Sequence, residues 1–472
     1  MIDPLSRLSA TDVVQLLRSN EVSALELVEI ALKRIAEVEP KINALPTVCA
    51  ERAREKARAI TNSRGRGKPA ANFLYGLPIA VKDNVDVAGV VTTHGSTIYR
   101  GNLATHSDVL VETLEHNGAI VIAKSNLPEF AAGGNTFNDV FGPTRNPWNS
   151  RLSAGGSSGG SAAALASGEV WLATGNDLAG SVRVPASFCS VVGLRPSPGR
   201  IARGPRKQMF SPLSVEGPMA RCVADIALML DAQVGATLRD PISLPRPAFS
   251  FARSIGRRPV SARIAFSENL GISEVDGEVA TICRNAIMRT RDLYAVVADA
   301  HPDLTVAEQT FETLRCALFV GRVGHLLADH RSEMKPEVVH NAEAGLAIGP
   351  EELTAAENAR DALYFRMIEF FNGYDFLVCP TAPVPPFGLQ IRYPDSLNGV
   401  PFRSYISWLK LTFAITLSGC PAISLPCGFT GSGAPVGLQI VAPPRAERRL
   451  LSFASHLEGL LECSTSVPIE PC

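Results

Sequence analysis

"AGGSSGGSAA", residues 154–163, is the stretch on which the reading of this chain turns. A flexible linker would separate two domains and lack patterning around it. Here the run leads directly into "SAAALASGEVWLA", an Ala-rich helix and then a strand. A phosphate cradle requires G-x-x-x-x-G-K-[ST]; Gly155 and Gly160 have that separation, but Ser161-Ala162 follow in place of the Lys and hydroxyl residue, so the phosphate's charge partner is missing. Gly155-x-Ser157-x-Gly159 matches the nucleophile elbow G-x-S-x-G, which needs a buried strand before it and an acid and then a His after it. The upstream "NPWNSRLSA" reads as a Pro- and Asn-containing loop, and His301, His325, His330, His340 and His456 carry no distinguishing context.

A second Gly/Ser site lies downstream, in "GNDLAGSVRVPAS". Small residues precede Ser181 there, permitting close backbone approach and clustered N–H groups. The 24 residues from Ser157 to Ser181 leave room for one helix and one strand. Upstream, "GLPIAVKDNVDV" reads as a short apolar strand delivering Lys82 and Asp83 at its end. Two serines and a strand-end lysine form a constellation for acyl transfer with a base other than His.

The rest of the chain fits a helix-and-strand fold. Ser9 with Asp12, and Ser23 with Glu26, have the spacing of capping boxes. "ALELVEIALKRIAEV" places Leu27, Ile30, Leu32 and Ile35 near helical period, with Pro40 expected to stop the helix. "ERAREKARAITNSRGRGKPA" reads as an exposed helix running into a loop. "HSDVLVETLEHNG" is an amphipathic helix ending at Gly118, before the strand "AIVIA". Further strands are expected at "EVWLAT", "ARIAFS", "YDFLVC", "AISLPC" and "VGLQIVA", and residues 305–372 look mostly helical, a candidate pocket wall. This alternation argues for an α/β protein whose sheet is covered by helices.

Composition sets further limits. With 472 residues, 46% hydrophobic and 19% charged, the chain can bury a large core, and no long linker or repeat divides it. A net charge of −1, without a basic stripe, speaks against a nucleic-acid partner. The ten cysteines show no Cys-x-x-Cys pair and no His at ligand spacing, so neither a metal nor a disulfide framework is expected; scattered reduced thiols suggest the cytoplasm. "MIDPLSRLSATDVV" does not read as a signal peptide. Residues 411–444 lack Asp, Glu, Lys and Arg, but Pro421, Pro426, Pro435 and several glycines interrupt them, which favours buried strands over a membrane helix.

Taken together, these motifs resemble the amidase signature family. The resemblance runs through "GLPIAVKDN" with "TTHGS", "GAIVIAKSNLPEFAAGGNTFNDVFGPTRNPWN", "GGSSGGSAAALASG", "GNDLAGSVRVPASFCSVVGLRPSPGRI", "SVEGPMARCVADIALMLD" and "LSGCPAISLPCGFTGSGAPVGLQIVAP". It implies a mixed central β-sheet covered on both sides by helices, with residues 1–24 a helical lead-in and 25–465 one domain. By the same resemblance Lys82, Ser157 and Ser181 form a Ser-cisSer-Lys triad, Ser157 being the bridging serine in a cis peptide. Ser181 is then the nucleophile and Lys82 a neutral base. The backbone N–H groups of Leu178, Ala179, Gly180 and Ser181 would form the oxyanion hole, and Ala131 matches a region that contacts the acyl group. Asp177 and Arg183 would support the nucleophile loop, and Asn84 would orient Lys82. No metal or organic cofactor is implied, and the expected partner is a small amide-type molecule, with a homodimer left open.

The chain departs from the family's usual pattern at Asn176 and Ala179, where Thr and Gly are common, and at Arg195-Pro196-Ser197, where Lys-Pro-Thr is common. "GND-x-AGS-x-R-x-PAS" looks like the branch containing 6-aminohexanoate cyclic-dimer hydrolase. Amides, anilides, carbamates and lactams all stay open as substrates. A rival expectation is the glutamine-hydrolysing subunit of a tRNA-dependent amidotransferase. Such subunits carry an acid near "SWLKLTF", where Trp408 and Leu409 suit an apolar substrate instead. A third reading is an inactive amidase-like scaffold.

Overall fold

The computed structural model describes residues 2–63, 73–256, 261–462 and 466–472. The loop expected after Ser63, residues 64–70, and Cys463 lie outside the described residues. In chain order the strands of the main sheet are β1 (Thr47–Val48), β2 (Pro78–Lys82), β3 (Ile120–Ser125), β4 (Leu172–Asp177), β5 (Val192–Arg195), β6 (Val215–Ala220), β7 (Arg263–Phe266), β8 (Ala295–Ala298), β9 (Phe376–Pro380), β10 (Ala422–Phe429) and β11 (Pro435–Val441). Across the sheet they run β1-β3-β2-β4-β6-β5-β10-β11-β9-β7-β8. The pairings β2–β3, β2–β4, β7–β9 and β7–β8 are parallel and the others antiparallel, so the sheet is mixed, as expected.

Helices flank the sheet on both faces, and the period of two along its strands shows how. In β9, Phe376 and Val378 enter one apolar cluster while Leu377 and Cys379 enter another; in β7, Ile264 and Phe266 part from Ala265 in the same way. Alternate side chains of a strand point to opposite faces, so a sheet with two buried faces needs apolar residues at nearly every position. All residues of β2, β3 and β4 are buried. The uninterrupted "PIAV" and "IVIA" runs follow from that requirement.

The expected N-caps form: Ser9 Oγ accepts from Asp12 N–H at 3.0 Å and Ser23 Oγ from Glu26 N–H at 3.1 Å. Pro40, however, does not end its helix, which spans Ala24–Ile42. In the last turn the lost N–H costs one bond, and termination falls to Asn43, in left-handed backbone (φ +55°) with its N–H on the Glu39 carbonyl. Ile30 and Leu32 are only half-buried; Val28, Ala31 and Arg34 complete the inner face. A second correction concerns "NPWNSRLSA", which is a short hairpin pairing Arg145–Asn146 with Asn149–Ser153 rather than a loop. The segment 305–372 is helical over Ala307–Val323, Leu327–His330, Pro336–Ala347 and Pro350–Gly373. Between Ser157 and Ser181 lie one helix, Gly159–Ala166, and strand β4.

Candidate active site

Lys82 ends β2 and is fully buried. Its Nζ lies 2.8 Å from Ser157 Oγ, 2.8 Å from Ser158 Oγ and 2.9 Å from Asn176 Oδ1. Burial pushes the ammonium down to about 7, against the opposing pull of the Glu216 and Asp177 carboxylates. Parallel pairing of β2 with β4 sets this geometry, because it brings the ends of both strands, Lys82 and Asn176, to the same edge.

Ser157 follows a cis Gly156–Ser157 peptide bond. The turn is held by Thr136, whose Oγ1 donates to the Gly155 carbonyl at 2.8 Å and accepts from Gly159 N–H at 3.2 Å. Gly160 is required by close approach: a Cβ there would sit 2.4 Å from the backbone nitrogen of Asn126. Ser158 N–H donates to the Ser181 carbonyl at 3.0 Å, joining the two serine segments. Ser181 is 9% exposed whereas Lys82, Ser157 and Ser158 are 0%, so of these four only Ser181 reaches towards solvent. Among the described residues no hydrogen bond links the Ser181 and Ser157 hydroxyls.

The loop after β4 is built on Asp177. Arg183 meets its carboxylate with two parallel bonds, Nη2 to Oδ1 at 2.8 Å and Nε to Oδ2 at 3.0 Å. The same guanidinium donates to Gln439 Oε1 at 2.5 Å, the Thr412 carbonyl at 3.0 Å and Thr416 Oγ1 at 3.1 Å. Arg195 adds a bond to the Asp177 carbonyl at 2.6 Å. Burial would raise the Asp177 carboxyl, but the two guanidiniums hold it well below the usual carboxylate range. Gly180 has φ +102°, and a Cβ there would meet Thr412 Oγ1 at 2.4 Å, so glycine is needed on both counts.

Two expected roles change. Gly180 N–H donates to Asp177 Oδ1 at 3.1 Å and is engaged, leaving Leu178, Ala179 and Ser181 as the loop N–H groups without a hydrogen bond among the described residues. Asn84 does not touch Lys82; it accepts from Asn176 Nδ2 at 2.9 Å, and Asn176 makes the contact to Nζ. Asn176 and Arg195 stand out in the sequence only as departures. The polar residues of "LATGND" at alternate positions, Thr174 and Asn176, are the available signal for a polar face towards Lys82.

A cavity of about 290 Å³ opens on Asn84 and Asn176, with Phe130, Arg206, Arg322 and His325 in its wall. Ala131 is half-buried with φ +58° beside Phe130, and neither it nor residues 178–181 line this cavity. Trp408 is fully buried against Phe188 and Phe387, at centroid distances of 6.4 and 5.6 Å, in the apolar cluster that contains Ala179 and Leu409. Among the described residues no group of His, Cys, Asp and Glu could hold a metal ion, and no helix is long and apolar enough to cross a membrane.

The chain is similar to known proteins over nearly its whole length. The sequence profile of the amidase family matches residues 26–451. An acylamidase of Rhodococcus erythropolis is 34% identical over 471 residues, 98% of this chain and 97% of the relative. A glutamyl-tRNA(Gln) amidotransferase subunit of Thermodesulfovibrio yellowstonii is 34% identical over 478 residues, 96% and 97% of the two chains. The structure of 6-aminohexanoate cyclic dimer hydrolase complexed with substrate superposes with a TM-score of 0.84 at 30% identity, covering 97% of each chain. With the profile spanning most of its length, this chain belongs to the amidase family, hydrolases acting on amide C–N bonds.

Proposed function

We propose that the chain hydrolyses small-molecule carboxamides or related C–N acyl compounds (anilides, carbamates or lactams) through an acyl-enzyme on Ser181. The observation that carries this reading is the contact of a fully buried Lys82, pushed down to about 7, with Ser157 at 2.8 Å. A lysine of that basicity is half neutral at pH 7 and able to accept a proton. Ser181 Oγ attacks the substrate carbonyl carbon; its proton passes to Ser157 Oγ as the Ser157 proton passes to Lys82 Nζ. The contact between the two hydroxyls forms with substrate in place, as catalytic hydrogen bonds often tighten only in the complex. The oxyanion accepts from the free N–H groups of Leu178, Ala179 and Ser181. Collapse breaks the C–N bond, and the leaving nitrogen takes the proton back from Lys82 through Ser157. Water then attacks the acyl carbon and gives its proton along the same path; collapse breaks the C–O bond to Ser181, whose oxygen takes the proton back from Lys82 through Ser157 as the acid leaves.

Asp177 with Arg183 fixes the loop, and Asn176, steadied by Asn84, positions Nζ. The similarity to an acylamidase supports an acyl amide as substrate, and the apolar cluster that holds Trp408 and Leu409 together with Ala179 supports an apolar acyl group. The similarity to an amidotransferase component keeps glutamine as the second reading, and comparing glutamine with an aryl amide decides between them. The decisive experiment is labelling with a fluorophosphonate. The adduct is expected on Ser181, and Ser181→Ala should abolish labelling and turnover with the fold intact; an adduct on Ser157 or Ser158 overturns the assignment, and none at all supports an inactive scaffold. We also read residues 25–465 as one domain, in line with a single sheet drawing strands from Thr47 to Val441. The nine described cysteines are free thiols, which suits a cytoplasmic enzyme.

A further inference from the structure

The cavity beside Asn176 contains a cation that no carboxylate meets in an ion pair among the described residues. Arg322 lies one residue from the end of the helix Ala307–Val323, half-buried, in the wall of the same cavity as Asn84 and Asn176. Among the described residues its guanidinium has no carboxylate in ion-pair distance and no hydrogen-bond acceptor. Its neighbour is the Phe319 ring, 6.0 Å from the centroid. The other basic residues nearby are engaged. Arg206 pairs with Asp108 at 3.1 Å and Glu216 at 2.8 Å, Arg203 donates to the carbonyls of Ser211 and Ser214, and the exposed Lys207 meets His325 Nδ1 at 3.1 Å. Asp86 also lines the cavity but makes no ion pair with Arg322.

Arg322 is half-buried, so its donors are open to solvent at the cavity, and no protein acceptor or carboxylate competes with a ligand for them. Burial, together with the positive charges of Arg206, Arg203 and Arg315, pulls Arg322 down to about 9 against the opposing pull of the Glu216 carboxylate. Phe319 covers part of its surface, but a ring face accepts none of the in-plane N–H bonds. A planar, bidentate anion would balance the charge and accept two of the donors in parallel. The cavity also reaches the Asn176 side chain that contacts Lys82 Nζ, so a ligand held at Arg322 extends towards the reacting groups.

We infer that Arg322 is a specificity-determining residue that binds a carboxylate carried by the substrate, so that the substrates are anionic amides. The inference rests on the amidase reading above for the word substrate, but its test measures binding rather than turnover. Calorimetry on the Ser181→Ala protein would compare two matched pairs: 4-acetamidobenzoate with the isosteric, neutral 4-nitroacetanilide, and succinanilate with its primary-amide analogue. The pairs place the charge on the amine and the acyl side respectively. The charged member of at least one pair is expected to bind about 10- to 100-fold tighter than its neutral partner. Adding Arg322→Gln should bring that ratio to about one, and Arg322→Lys, which keeps the charge but loses the fork, should leave an intermediate ratio. Equal affinities within both pairs, or a preference that survives Arg322→Gln, overturns the inference. Failure of the amidase reading would appear elsewhere, as wild-type protein that turns over neither member of a pair and leaves Ser181 unlabelled.

Discussion

The proposed base makes a quantitative demand on the pH profile. An ordinary lysine at 10.5 is neutral in about one molecule in 3,000 at pH 7, whereas one at about 7 is neutral in half, a gain of about 10³ in competent base. The rate of Ser181 labelling by a fluorophosphonate should therefore rise about tenfold between pH 6 and pH 8 and level off above it. Lys82→Ala should lower the plateau about 10²- to 10⁴-fold and remove the limb. Lys82→Arg should not rescue it, because a guanidinium stays protonated throughout this range. The control is internal: His94 lines the same cavity, and burial holds its imidazole below its ordinary value, so a limb arising there would survive Lys82→Ala. A limb that persists at its original position in the Lys82→Ala protein would refute the base assignment.

Three further outcomes are expected. Asn176→Asp would place a carboxylate where the amide oxygen stands 2.9 Å from Nζ, raising Lys82 by about 1–3 units and lowering the rate at pH 7 about 5- to 500-fold, with recovery at high pH. Asp177→Asn leaves Arg183 and Arg195 without their shared anion and should cost about 3–5 kcal/mol in urea denaturation at pH 7. Because the Asp177 carboxyl is held below its unfolded value, its contribution is present above about pH 4 and lost as pH falls, so the variant should show a flatter acid limb of stability. Kinetics of Lys82→Ala combined with Ser157→Ala should show a loss far smaller than the product of the single losses; multiplicative losses would mean that the two side chains act separately.

Local chemistry is readable from the chain, and distant partnerships are not. The strand ending in Lys82, the capping serines and the helix and strand between Ser157 and Ser181 all follow from patterns spanning a few residues. Pro40 misleads because its position within a helix, interior or last turn, depends on where Asn43 closes the chain. The hairpin at 145–153 has too few residues to display a period, and its pairing is set by contacts such as the Asn146 amide on the Phe188 carbonyl, 42 residues away. Asn176, Arg195 and Arg322 gain their meaning only from what the fold sets beside them. The family resemblance implies that Gly180 offers its N–H to the substrate; in the structure that N–H donates to the Asp177 side chain, three residues back.

The salt bridge beneath the Ser181 loop limits how the protein can be divided. Arg183 joins Asp177, six residues away, to Thr412, Thr416 and Gln439, which lie 229 to 256 residues further along the chain. The loop therefore acquires its shape only when the last strands have been laid down, and its contacts rank among the latest in synthesis and the most distant in sequence. A fragment ending before Lys410 would keep Lys82, Ser157 and Ser181 yet leave the guanidinium of Arg183 without three of its partners. On the proposed mechanism, a nascent chain that carries all three residues is expected to stay silent until its C-terminal strands arrive.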